Sequence, residues 1–421
     1  MRLFKTLFQG LAKPVLRTTI VMVFLFYSCS DIKDSPMTVT ESVFLDTKIN
    51  TATISDKRHF ELSDIGVFAS NDFEGSRLNG FEKVNDSTVK LFIYPENEPI
   101  NNSPYYAFET WSDQPKKIFF QFQYPLNYSH RYIPKLKIEN KWQQIPPAQI
   151  INSDDQSFTI FINLNVAPQM VAAQKIQPST AVNFWIDSIV QGREAWVRKK
   201  NIATSVLDRD ITVLDIYKDS PKGKKIIVLL TRQHPPEITG YFAFQYFLET
   251  LLTTTELQEN FLNEFRIIAF PNINPDGTDM GHWRNNANGL DLNRDWKNFV
   301  QPETSAVARY INETDEDVIL GLDFHSTYKD VFYTNKERTT TDLPNFITEW
   351  FSAIEINIPG YLVNEKASIS TQDVSKAWFL DTHKAVGITY EIGDETPKNN
   401  IALIGSVSAI SMMNILTQHN E

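Results

Sequence analysis

The sequence predicts an N-terminal antiparallel β-sandwich followed by an α/β domain. Three observations carry that expectation. Short extended runs broken by turn residues dominate up to about residue 168, strands and helices alternate from about residue 180 onward, and the character changes near Pro168. The chain has 421 residues, of which 42% are hydrophobic and 22% charged. That balance suits a globular protein of two or three domains with ample apolar material for a core.

Residues 1–28 read as a signal peptide. Arg2, Lys5, Lys13 and Arg17 form a basic stretch without acidic residues, and Ile20 to Tyr27 is an apolar run too short to span a bilayer. The run stops at Ser28-Cys29-Ser30-Asp31, and Cys29 is the only cysteine. Phe26-Tyr27-Ser28-Cys29 resembles a bacterial lipobox, which implies cleavage before Cys29 and a diacylglycerol lipid on its sulfur. The mature protein is then exported and lipid-anchored to the cell envelope, on the periplasmic side or the cell surface, with residues 29–42 as a polar tether. One cysteine leaves no intramolecular disulfide even in an oxidising compartment.

Residues 43–168 form the expected sandwich. Lys117 to Tyr124 and Ser157 to Leu164 are its clearest strands, dense in Phe and Ile, and clusters such as Asn101-Asn102-Ser103-Pro104 mark turns. Residues 169–421 form the α/β domain. Thr180 to Lys199 has near-helical apolar spacing. Ile211–Tyr217, Lys225–Thr231, Glu264–Phe270, Asp317–Phe324 and Val386–Ile392 read as strands. Ile238–Leu252, Glu303–Ile311, Phe346–Ile356 and Ile401–Leu416 read as helices.

In an open α/β sheet, ligands bind outside the carboxyl ends of the strands. His234 follows one expected strand, Pro271 to Asp276 follow another, His325 ends a third and Glu391 ends a fourth. Four polar clusters therefore fall on one edge of one sheet. A hydrolytic zinc site needs three protein ligands and one open position for water. His234 and Glu237 offer two ligands three residues apart where a strand runs into a helix, and His325 offers a third. Alone, each has a plainer reading: a lone HxxE is more often a hydrogen-bonded loop pair, Arg284 and Arg294 could be solvated loop arginines, and Glu391 an ordinary strand-end acid. The net charge of −11 argues against a nucleic-acid partner, which would require a basic surface.

The motifs occur in a fixed order: Arg232-Gln233-His234-Pro235-Pro236-Glu237, Asn274-Pro275-Asp276-Gly277, Trp283-Arg284, Asp291-Leu292-Asn293-Arg294, Asp323-Phe324-His325-Ser326 and Tyr390-Glu391. Together they resemble the zinc metallocarboxypeptidases typified by the pancreatic enzymes, and the HPxE form behind a sandwich-like leader is similar to the cytosolic-carboxypeptidase branch. The resemblance spans residues 180 to 421. It implies an α/β/α domain with a mixed central sheet and the cofactor Zn2+. It further implies that His234, Glu237 and His325 bind the metal, and that Asp291 orients His234 through its second ring proton. Glu391 would be the general base and Arg284 the oxyanion stabiliser. Asn293 and Arg294 would bind a substrate carboxylate. Two positions depart from the digestive enzymes: Pro236 replaces an Arg between the HxxE ligands, and Lys366 to Phe379 contains no tyrosine.

The expected substrate is a peptide with a free C-terminal carboxylate, with Ser368 to Trp378 lining part of the specificity pocket. Two alternatives stay open. One is hydrolysis of a peptidoglycan stem peptide by the same chemistry, and the other is an inactive lipoprotein that binds peptide or glycan.

Overall fold

The computed structural model describes residues 52–418 apart from positions 54, 140, 154–157 and 370. Cys29, the apolar run before it and the tether to residue 42 lie outside the described residues.

Two sheets face each other in the N-terminal part. One runs in the order His59–Leu62, Val67–Ser70, Ala107–Ser112, Gln169–Ala172, Lys135–Ile138, Lys141–Gln144. The other runs Gly80–Asn85, Thr88–Phe92, Lys116–Gln123, Phe158–Leu164, Ile150–Ser153. Alternation along Lys116–Gln123 turns Ile118, Phe120 and Phe122 inward and leaves Lys117 and Gln123 outside. These residues join Phe108, Tyr106, Ile160 and Val171 in one apolar core. All described pairings are antiparallel except Thr88–Phe92 with Lys116–Gln123, which is parallel. Gln169–Ala172 carries the sandwich four residues past the expected boundary at 168.

The C-terminal part holds an eight-stranded mixed sheet in the order Val197–Thr204, Asp210–Ile216, Phe265–Phe270, Lys225–Thr231, Val318–Thr327, Val386–Gly393, Val331–Asn335, Glu365–Ser368. The four central strands are parallel to one another. Apart from terminal residues and the half-buried Glu391, they are buried, as strands covered on both faces must be. On one face Ile238–Leu251, Phe346–Asn357 and Lys398–Gln418 pack through Phe244, Phe247, Trp350 and Met412. On the other, Pro302–Asn312 and Ser375–His383 pack through Val307, Trp378 and Phe379, together with Trp296 from the preceding loop. Lys398–Gln418 is long and apolar enough to cross a membrane, but half of its most apolar stretch is buried against this core.

One expected helix is shorter than its sequence pattern. The apolar spacing pointed to Thr180–Lys199, whereas the helix covers Ser179–Val190. Gly192, with φ +77°, takes left-handed backbone that a helix cannot continue through. Trp196 instead leads into the edge strand Val197–Thr204, whose mixed polar sequence gave no clear period.

From Lys225–Thr231 the chain crosses first to Phe265–Phe270 on one side and later to Val318–Thr327 on the other. The crevice at the carboxyl end of Lys225–Thr231 is therefore the topological switch point of the sheet.

Candidate metal centre and active site

Past Thr231 the backbone turns sharply through Arg232, which adopts φ +58°. Arg232 is held there by hydrogen bonds to the Gln177 carbonyl and Thr278 Oγ1 and lies over the Tyr241 ring. A non-glycine residue in that conformation persists only where its surroundings over-determine it. The turn delivers His234 to the crevice and places Glu237 at the N-cap of Ile238–Leu251. Gly240, in the first turn of that helix, lets it press against the strand carrying His325. A Cβ there would lie 2.0 Å from the His325 carbonyl oxygen. The Ser326 hydroxyl accepts from Gly240 N at 2.8 Å and fixes the approach.

These supports bring three buried ligand atoms, one each from His234, Glu237 and His325, within 4.8 Å of one another. Nδ1 of His234 lies 2.9 Å from Glu237 Oε1, and Nδ1 of His325 lies 2.6 Å from Glu237 Oε2. The opposite ring nitrogens are both engaged. His234 Nε2 is 2.8 Å from Asp291 Oδ1, and His325 Nε2 is 2.8 Å from Asp323 Oδ2. A carboxylate on each Nε2 fixes the tautomer that leaves Nδ1 bare, the arrangement of metal-ligating histidines. Two imidazoles and one carboxylate converging on one point fit zinc in donor type and number.

Glu391 is the strand neighbour of His325 in the parallel register. Its Oε2 is buried without a hydrogen-bond partner. Burial, followed by the Glu237 carboxylate, pushes its pKa up to about 8, while His325, Arg284 and Arg131 pull the other way. Burial also works against the charge on Glu237, but His234 and His325 outweigh it and hold that carboxyl well below the usual range. Two carboxylates so close thus differ in character: one stays an anion, and the other readily takes a proton.

Arg284 donates from Nε to Asp291 Oδ2 at 2.6 Å and places Nη1 4.0 Å from Glu237 Oε1. Asp291, opposed by burial, is kept ionised by Arg284 and His234. Asn293 is buried, with Oδ1 accepting from Ser375 N at 3.0 Å and Nδ2 3.4 Å from His325 Nε2. Arg294 is exposed beside it, with Nη1 donating to the Asn293 carbonyl at 2.7 Å. The structure therefore brings His234, Glu237, His325, Asp291, Arg284, Asn293 and Glu391 together in one crevice, with Arg294 next to Asn293. The motif Asn274-Pro275-Asp276-Gly277 opens the short helix Pro275–Met280. Asn274 accepts from Gly277 N, and its Nδ2 donates to the carbonyls of Gln233 and Asn285, linking the two loops of the site.

Three participants, Asp323, Lys376 and Glu96, received no role of their own from the sequence. Asp323 sits two residues before His325 on the same strand, so period-two alternation alone puts both on one face. Gln233 and Ser375 both bond Asp323 Oδ2 and steady it. Lys376 follows Ser375 and is buried, its ammonium donating to the Thr334 carbonyl at 3.2 Å. Burial alone pushes Lys376 down to about 8, and no carboxylate among the described residues offsets it. Glu96, from the sandwich, accepts from the backbone N–H groups of Trp283, Arg284 and Asn285.

The comparisons with known proteins agree with this geometry. The cytosolic carboxypeptidase 6 of Caenorhabditis elegans is 25% identical over 281 residues, covering 60% of this chain and 61% of the relative. The mouse protein of the same name is 23% identical over 277 residues, 60% of this chain and 51% of the relative. The chain thus spans about half to three-fifths of the length of these curated relatives. A solved putative carboxypeptidase A from Shewanella denitrificans superposes with a TM-score of 0.71 at 20% identity, covering 83% of this chain and 99% of that one. A metallo-carboxypeptidase from Burkholderia cenocepacia does so with a TM-score of 0.71 at 15% identity, covering 84% and 99%. At these identities the two structures speak for the fold, sandwich and mixed sheet together. The family model described as zinc carboxypeptidase matches residues 182–400, more than half of the sequence, and the chain belongs to that family.

Proposed function

We propose that this protein is a zinc-dependent metallocarboxypeptidase that removes C-terminal residues from peptides, and that an acidic C-terminal residue is its preferred target. One observation carries the activity. Two histidine Nδ1 atoms and a carboxylate converge, each histidine is backed by an aspartate, and an orphaned carboxyl oxygen of Glu391 lies one strand away.

Zinc held by His234, Glu237 and His325 would acidify a water molecule and polarise the scissile carbonyl. Glu391, with its raised proton affinity, takes the proton from the attacking water and passes it to the leaving amine. The Arg284 guanidinium, aimed past Glu237 by Asp291, donates to the carbonyl oxygen as negative charge builds on it. Arg294 at the rim and the neighbouring Asn293 bind the terminal carboxylate. A guanidinium presents a two-pronged donor that matches a carboxylate.

The preference for an acidic side chain rests on Lys376. A buried ammonium with only neutral partners is incompletely compensated. A substrate carboxylate reaching this ammonium would complete it. The basic leader, the apolar run and Cys29 support an exported protein held at a bacterial cell envelope by an N-terminal lipid, acting there on peptides or peptidoglycan stem peptides.

The test is zinc content together with C-terminal release from peptides ending in Glu, Leu or Lys and from purified muropeptides. The expected result is stoichiometric zinc and release fastest from the Glu-ended peptide. Lys376→Met should lower kcat/KM for that peptide at least tenfold relative to the Leu-ended one. Zinc-loaded protein that releases nothing from any substrate would overturn the activity, and a Leu or Lys preference would overturn the acidic pocket.

A further inference from the structure

We propose that Glu96, a sandwich residue 188 positions upstream, is the positioning residue for the oxyanion arginine Arg284, so that the sandwich is a working part of the active site. The inference rests on the hydrolytic reading above.

Glu96 is fully buried. Its Oε2 accepts from Trp283 N at 2.8 Å, and its Oε1 accepts from Arg284 N at 3.0 Å and Asn285 N at 2.7 Å. Three successive amides aimed at one point form an anion-binding nest, and without an anion all three would be left unsatisfied in the interior. The middle amide belongs to Arg284 itself. Asn97 extends the same grip: its Nδ2 donates to the Gly289 carbonyl at 2.9 Å, and its Oδ1 accepts from Asn285 Nδ2 at 2.9 Å. Trp283 closes the attachment by burying its ring in the sandwich core and donating from Nε1 to the Tyr105 carbonyl at 3.1 Å.

The consequence lies at the other end of the arginine. With its backbone pinned on both sides, the Arg284 side chain is held by its Nε hydrogen bond to Asp291, which sets its reach toward the metal ligand Glu237. A donor that stabilises a developing oxyanion must already be in place when the charge forms, because reorganisation at that moment costs rate. A shift of this loop leaves substrate binding nearly intact and weakens only the transition state.

Glu96→Gln keeps the size of the side chain but turns an amide donor toward one of the three N–H groups. With zinc content and melting temperature checked, kcat should fall about 10- to 100-fold with KM within about twofold. In the Arg284→Ala background the same substitution should cost less than about twofold, since the group it positions is gone. Asn97→Ala, a milder change to the same attachment, should show a smaller kcat loss that also vanishes in that background. It serves as the test if Glu96→Gln does not fold. Unchanged kcat in a folded, zinc-loaded Glu96→Gln protein would overturn the positioning role alone, as would a loss that persists in full without Arg284. A wild type that releases nothing would instead overturn the activity, and the positioning role with it.

Discussion

The metal-ligand cluster and the Arg284 loop meet in one crevice but are held in opposite ways. His234, Glu237 and His325 stand on strand ends and a helix start of a single sheet, braced by Gly240, Ser326 and Asp323. The sandwich reaches them from outside through Arg131, which pairs with Asp394 at 2.8 Å and donates to the Ser326 carbonyl. Arg284, in contrast, rides on a loop whose backbone is tied to the sandwich by Glu96, Asn97 and Trp283. Metal capture therefore depends chiefly on the central sheet, with Asp291 of the loop bracing His234, whereas rate acceleration depends on the junction between the two halves.

That division can be broken experimentally, and the largest effect belongs to the base. Glu391→Gln should lower kcat by about 10²–10⁴-fold while retaining stoichiometric zinc. Loss of zinc in that variant would mean that Glu391 helps hold the metal. Arg284→Ala should cost about 10²–10³-fold in kcat, with zinc affinity in a chelator competition falling by less than about tenfold through the loosened Asp291. A large drop in affinity would erase the distinction between capture and acceleration. Asp323→Asn should weaken zinc binding about 10- to 100-fold, and Glu96→Gln should leave it within about threefold. Equal losses in the two variants would show that both halves hold the metal.

The smallest effect probes the far side of the Arg284 loop. Glu303 is buried, its Oε2 accepting from Asn286 Nδ2 at 3.1 Å, and burial pushes its pKa from the ordinary 4.5 up to about 7. Below about pH 4.5 its carboxyl is protonated whether the chain is folded or unfolded, and its contribution to stability is intact. Between there and about 7 the unfolded chain ionises first, so stability declines as pH rises. The loss is on the order of 1–3 kcal/mol by pH 8. Denaturant midpoints at pH 5 and pH 8 should show it, and Glu303→Gln should flatten that part of the slope.

Most of the sheet was legible in the sequence because its central strands are buried on both faces. Lys225–Thr231 appears as an unbroken apolar run, and His234, His325 and Glu391 follow from where such runs end. The exposed edge strand Glu365–Ser368 gave no such signal. Asp323 was within reach of a period-two argument. Lys376 was not, since only the fold buries its ammonium and shows that its partners are neutral. Glu96 was out of reach altogether, because a nest of three backbone amides leaves no mark on the side chains that form it.

Trp283 links the two halves in a further sense. Its indole is fully buried within the apolar cluster of the sandwich, although its backbone belongs to the other half. Neither half can therefore come apart without exposing that ring or orphaning the Glu96 carboxylate. Calorimetry should accordingly record a single unfolding transition for both lobes, with the calorimetric enthalpy matching the van't Hoff value. The catalytic lobe expressed by itself should carry a sticky aromatic patch where the sandwich belongs.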